Sequence, residues 1–187
     1  LVAEALWAVL PHWTNWGRLE VADREAVLAL VADESVVRAV QRRLMLATTG
    51  PATQVLAQSA RMACGDAGLR ALARAAVQPA VRAQATRWLL DGRVAWTVGR
   101  RWVSTAHAWN EGRHQPIVEV RDLSVREPFL PVLDDALEDR SPMVRRVAAE
   151  ILIRERDRLG EQAVSRARQL AADRSPSVAE RGCFALK

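Results

Sequence analysis

The feature that most constrains the fold is an internal repeat. Residues 139–144 and 173–178 both read D-R-S-P-x-V, and their prolines are 34 residues apart. The segment that begins at Pro79 has the same layout, with a small residue six positions and a leucine ten positions after the proline. A weaker copy begins at Ser35. Four copies of one spacing indicate a structural unit that is used repeatedly along the chain.

Each unit is typical of a helix, a turn and a second, capped helix. Proline at the first helical position loses no hydrogen bond, and a preceding Asp or Ser can cap the helix. The valine, the small residue and the leucine then form one apolar stripe, which such units bury by stacking on each other. The pattern predicts helices at 2–10, 18–32, 36–48, 52–63, 67–77, 79–91, 129–138, 143–158, 161–172 and 177–186.

The units resemble the HEAT-repeat family over 17–91 and 127–187. The best unit, 129–158, has Pro131 in its first helix and Asp139 in its turn, and Arg145 follows in its second helix. The resemblance implies that Asp139 and Arg145 help to form a hydrogen-bonded ladder between repeats. We therefore expect an all-α fold, a HEAT-like α-α superhelix (solenoid) that makes one domain of residues 1–187.

Residues 92–126 interrupt this helical pattern. Segments 94–98 and 101–105 are rich in β-branched and aromatic residues, and 117–121 alternates with a period of two. We expect a small β-hairpin insertion here. Insertions in repeat arrays often carry the features that recognise a partner.

The insertion interleaves cations with flat aromatic rings. The candidate partner-binding residues are Arg93, Trp96, Arg100, Arg101, Trp102, Trp109, Arg113 and His114. Guanidinium groups bind phosphates and carboxylates, and Trp stacks on bases or on arginines. A structural interpretation stays open, in which the Trp side chains form the core of the hairpin and the arginines pair with carboxylates on neighbouring helices.

A second cluster, Trp7, Trp13 and Trp16, lies in an N-terminal segment (1–16) that we expect to cap the first repeat. An aromatic partner site is the alternative. The chain begins without methionine and stops inside a helical pattern, which is consistent with a piece of a longer protein.

Composition narrows the function classes. The formal net charge is +5, and Lys187 is the only lysine, so a Walker-type phosphate loop is excluded. The two cysteines form no C-x-x-C pair, and no apolar run approaches the roughly 20 residues that span a bilayer. We expect a cytoplasmic protein with no membrane contact, no metal and no cofactor. No catalytic residue is assigned.

The second helices carry many arginines, which predict a basic concave face. These are Arg38, Arg42, Arg43, Arg82, Arg87, Arg145, Arg146, Arg154, Arg156 and Arg158. Together with the insertion they favour a non-enzymatic binding or scaffold module with a protein partner. The alternative is a nucleic-acid-binding protein, including a HEAT-like alkylpurine DNA glycosylase, in which Trp and Asp line a basic groove. No motif here matches such an enzyme residue by residue.

Overall fold

A computed structural model describes residues 20–48, 52–61, 68–104 and 112–187. The helices before the insertion are α1 (Val21–Ala32), α2 (Glu34–Leu46), α3 (Ala52–Arg61), α4 (Leu69–Ala75) and α5 (Pro79–Asp91). Two strands follow, β1 (Arg93–Ser104) and β2 (Gly112–Asp122). The remaining helices are α6 (Phe129–Leu137), α7 (Pro142–Arg154), α8 (Arg156–Leu159), α9 (Glu161–Ala171) and α10 (Pro176–Ala185). The predicted helix 2–10 and the predicted cap 1–16 lie outside the described residues.

The repeated sequence motif begins three helices in the same way. Proline occupies the first turn of α5, α7 and α10, where its missing N–H has no helical partner to lose. Before α7, the Asp139 carboxylate accepts a hydrogen bond from the Ser141 N–H at 2.7 Å, and Asp173 does the same for Ser175 before α10. The repeated D-x-S-P therefore forms the same turn before α7 and before α10.

Helices pack as consecutive pairs. α4 packs on α5, α6 on α7 and α9 on α10, while α5 also packs on α7 and α7 on α10. The predicted stripe is buried in α5 and α7, where Leu89 is 5% and Leu152 0% exposed. At Gly182 in α10, a Cβ atom would clash with the backbone of α9, so the small residue lets the two helices approach closely.

Buried arginines connect these pairs. Arg82 donates from Nε and Nη2 to the two carboxylate oxygens of Asp139 at 2.9 and 3.0 Å. Arg145 donates from Nε and Nη2 to Asp173 at 2.6 and 2.9 Å. The third nitrogen of each guanidinium donates to a carbonyl six residues earlier, Ala76 for Arg82 (2.7 Å) and Asp139 for Arg145 (2.8 Å). We call these two fork-to-fork contacts the rungs.

The expected all-α fold class is wrong. β1 and β2, of 12 and 11 residues, form a two-stranded antiparallel sheet. The base of this sheet belongs to the core, since Val94 is fully buried and Leu123 is 6% exposed. The chain is therefore a mostly helical protein with an integral antiparallel sheet, and the paired helices do not establish a superhelix.

Several predicted helix boundaries differ by two or three residues, and one differs by more. The predicted helix 143–158 ends at Arg154, because Glu155 leaves the helical conformation (φ −94°, ψ 7°). The one-turn helix α8 follows and ends at Gly160, whose φ of +55° favours glycine. Among the described helices, none combines the length and the apolar character that a membrane crossing requires.

A comparison of two arginines on α5 tests the contribution of the rungs. Arg82→Ala removes a side chain that is 1% exposed and leaves Asp139 and two backbone carbonyls without their donor. We expect a loss of about 3–5 kcal/mol in the free energy of unfolding, measured by urea denaturation. Arg87→Ala is the matched control: its side chain is 39% exposed and its partner Glu150 keeps Arg146, so we expect a loss below about 1 kcal/mol. Equal losses would contradict this role of the rungs.

The second rung predicts a pH dependence. Hydrogen bonds from Arg145 hold the pKa of the Asp173 carboxyl below its usual value. Because the folded-state pKa is depressed, the stabilisation is fully present above the unfolded pKa of about 3.9 and is lost as the pH falls through the folded value. We expect the stability difference between the wild type and Asp173→Asn to be constant from about pH 7 to 5 and to shrink below about pH 4. Asp157→Asn is the control, since Asp157 is exposed and forms no ion pair within the described ranges.

Candidate binding surface

The two strands form a ribbon that is anchored at one end. Gly92 adopts φ +66°, which ends α5 and turns the chain directly into β1. Leu123 closes the other side, donating its backbone N–H to the Gly92 carbonyl at 3.0 Å. With Val94 and Trp88 buried beside this junction, the base of the ribbon is held by the core.

A β-bulge divides the ribbon into two halves. Thr97 pairs with Val118 and Gly99 pairs with Ile117, so Val98 is an extra residue on β1. Successive side chains of a strand alternate between faces. Beyond the extra residue, each side chain of β1 therefore lies on the face opposite to the one that strict alternation along the sequence would give it. Arg100 and Trp102 therefore lie opposite Pro116 and His114, on the same face as Val118.

The ribbon consequently has two unlike faces. The outer face consists of Arg93, Ala95, Thr97, Arg100, Trp102 and Ser104 on β1, and Gly112, His114, Pro116, Val118, Val120 and Asp122 on β2. The side chains of this face are mostly exposed. The opposite face is covered only at its base, by the buried Val94 and the half-buried Trp96, and is exposed farther out at Arg101, Arg113 and Ile117.

Large apolar side chains are exposed on the outer face. Trp102 is 54%, Val118 52% and Val120 56% exposed. The Trp102 indole packs edge-on against the His114 ring, with 5.1 Å between the centroids. It also covers Gly112, where a Cβ atom would clash with the indole. Exposed apolar side chains that gather on one face, rather than being scattered singly, are characteristic of interaction sites.

Trp96 has a different role from Trp102. Its indole N–H donates to the Glu119 carboxylate at 3.1 Å across the ribbon, and its ring packs on the core. Trp96 therefore anchors the proximal half of the ribbon, as the structural interpretation of the sequence suggested for the tryptophans.

Four ribbon arginines lack partners in the described part of the chain. Arg93, Arg100, Arg101 and Arg113 are exposed and form no ion pair or hydrogen bond with the described residues. The two strands contain five arginines against two acidic residues. The ribbon thus presents positive charge that the described residues do not neutralise.

The arginines of the helices are mostly paired. Glu150 alone contacts three guanidinium groups, those of Arg87 (2.6 Å), Arg146 (3.1 Å) and Arg181 (3.5 Å). Burial raises the pKa of the Glu150 carboxyl, but the hydrogen bonds from Arg87 and Arg146 outweigh this effect and keep its pKa lowered. Much of the positive charge that the sequence assigned to the second helices is therefore neutralised within the fold.

The structure separates the sequence-predicted residues into groups. It places Arg93, Arg100, Trp102 and His114 on the outer face. On the opposite face it places Trp96, Arg101 and Arg113. Trp109 lies outside the described residues, as do Trp7, Trp13 and Trp16. Within the described ranges, no three His, Cys, Asp or Glu side chains gather in a way that could hold a metal ion.

Sequence reasoning missed four residues. Val118 and Val120 complete the apolar part of the outer face, and the alternation over 117–121 was the signal that could have revealed them. Arg82 and Asp173 are the rung partners of Asp139 and Arg145. They occupy the matching positions of the neighbouring copies, three residues after and three residues before a proline.

In comparisons with known proteins, no family model, no curated protein and no solved structure matches this chain.

Proposed function

We propose that the chain is a non-enzymatic binding module that docks the outer face of its ribbon onto a protein partner. The observation that carries the proposal is the gathering of Trp102, Val118 and Val120 on one exposed face. Trp is among the residues that contribute most to protein–protein affinity, and flanking arginines are enriched at such interfaces.

Two further properties support a docking element. The base of the ribbon is fixed by Val94 and Leu123, so its orientation relative to the helices is defined before a partner arrives. Within the described ranges, each strand has one edge without a strand partner, and Arg93 and Arg100 form no ion pair; their charge favours a partner with acidic residues around an apolar centre. A cytoplasmic location fits this proposal, because the cysteines are not arranged as a disulfide framework.

A capture experiment tests the protein-binding proposal. The chain is immobilised and exposed to a nuclease-treated extract of its source at two salt concentrations, and bound proteins are quantified by mass spectrometry. We expect a protein that the wild type retains and that Trp102→Ala/Val120→Ser retains roughly thirtyfold less, as the loss of about 2 kcal/mol at an interface centre implies. The purified protein is then titrated directly.

Val125→Ser is the matched control, since Val125 is 69% exposed and lies outside the ribbon. It should bind as the wild type does. If every retained protein binds the ribbon variant, the control and the wild type alike, the outer face is not the docking surface.

A nucleic-acid partner is the second candidate, favoured by the unpaired arginines around Trp102. Base stacking on Trp with phosphate contacts from Arg is a common mode of single-strand binding. The glycosylase version of this candidate requires the release of free base from alkylated DNA. A cleft among the described helices is lined by Asp135 and Asp139, both bound to arginines, and no tryptophan lines it.

Fluorescence anisotropy with labelled single- and double-stranded DNA and RNA separates the two candidates. For a nucleic-acid site, binding persists near physiological salt, and Arg100→Ala/Arg101→Ala lowers the salt slope by about one per lost phosphate contact. The control Arg168→Ala removes an exposed charge on α9 and should leave the slope unchanged. Binding that disappears at physiological salt, or a variant slope equal to that of the wild type, would eliminate this candidate.

A further inference from the structure

A polar cleft of about 430 Å³ lies among α4, α5, α6 and the turn that follows α6. Its lining includes Arg70 and Arg74 from α4, Thr86 from α5, Asp135 from α6 and Arg140 from the turn. None of the lining residues belongs to the ribbon, so this site is independent of the proposed docking surface. Its volume falls within the usual range for small-molecule sites.

One carboxylate in the cleft serves two cations. Arg70 Nη2 and Arg74 Nε both donate to the same oxygen, Asp135 Oδ2, at 2.5 and 2.9 Å. The two arginines are one helical turn apart, where like charges destabilise a helix unless they are neutralised. Each guanidinium has five N–H donors, and in the described part of the chain the others have no partner. Asp135 therefore neutralises one of two charges and occupies few of the available donors.

The second carboxylate of the cleft, that of Asp139, already accepts hydrogen bonds at both of its oxygens. Both oxygens of Asp139 accept from Arg82, and one of them also accepts from the Ser141 N–H. Arg82 is 1% exposed, so this pair is a fixed part of the core. Asp139 consequently leaves the charges of Arg70 and Arg74 unneutralised.

Arg140 adds a third cation at the rim. Its side chain is exposed and forms no ion pair with the described residues, while its backbone carbonyl accepts a hydrogen bond from Arg174 at 3.3 Å. With Arg82 counted, four guanidinium groups meet two carboxylates around this cleft. The cleft therefore carries a net positive charge. Solvent screens the Arg70 guanidinium weakly, because this side chain is only 18% exposed.

We propose that this cleft binds a small anion that carries a phosphate or carboxylate group, held by Arg70, Arg74 and Arg140. Planar guanidinium forks match the oxygens of both groups and bind them in bidentate fashion. Val132 and Ala136 supply an apolar wall for the rest of the ligand. Thr86, on α5, also lines the cleft.

Isothermal titration calorimetry at constant ionic strength tests the proposal with pyrophosphate, inorganic phosphate and citrate as probes. We expect saturable binding of at least one probe with a Kd below about 1 mM. Arg74→Gln/Arg140→Gln should weaken it at least about tenfold. The matched control Arg126→Gln/Arg168→Gln removes two exposed charges outside the cleft and should bind as the wild type does. Preference for pyrophosphate identifies a phosphate ligand, and preference for citrate a carboxylate ligand.

Two results would overturn the proposal: no saturable binding of any of the three probes, or equal weakening in the cleft variant and the control. Circular dichroism and thermal melting establish that each variant is folded. Should the double variant be unfolded, Arg140→Gln alone is titrated, since Arg140 forms no ion pair with the described residues. Unchanged affinity in that variant would then overturn the proposal.

Discussion

The buried guanidinium groups of Arg82 and Arg145 are the interaction on which the helical part of the protein depends. A charge can be removed from water only when fixed partners replace its hydration, and each of these arginines has a carboxylate and a backbone carbonyl in place. The carboxylate comes from the turn that begins the next proline-headed helix. Because a fork-to-fork contact tolerates little misalignment, the two rungs define how α5 lies against α7 and α7 against α10.

The rungs also explain how the chain accommodates its insertion. Arg82 and Asp139 are 57 residues apart in sequence, whereas Arg145 and Asp173 are 28 apart, yet the two contacts have the same geometry. The extra residues are those of the ribbon, which leaves the helical layer at Gly92 and returns to it at Leu123. α5 and α7 therefore pack directly on each other, although the ribbon separates them in sequence. Among the described residues, the ribbon contributes only its base to the core, and the distal half exposes Trp102 and Arg100.

Local features were predictable from the sequence, and relationships across the chain were not. The proline predicted the starts of α5, α7 and α10, and the preceding Asp and Ser supported those of α7 and α10, since such interactions act within a few residues. The β-branched composition gave the hairpin. The all-α class failed because the strands are long and Val94 enters the core, which composition does not reveal. The resemblance to HEAT repeats implied a ladder role for Asp139 and Arg145 but did not identify their partners, because each rung joins different units. Which side chains share a face of the ribbon could not be predicted for a similar reason. The bulge at Val98 follows from the pairing of two strands and cannot be read from the sequence of either strand alone.

That bulge determines which side chains the ribbon presents together. If Val98 were paired opposite Ile117 instead of being skipped, every later residue of β1 would shift by one partner, and Arg100 and Trp102 would move to the opposite face. The apolar face would then be divided, with its valines on one side and its tryptophan on the other. The composition of the outer face thus depends on one backbone irregularity, a determinant that comparisons of aligned side chains alone would overlook.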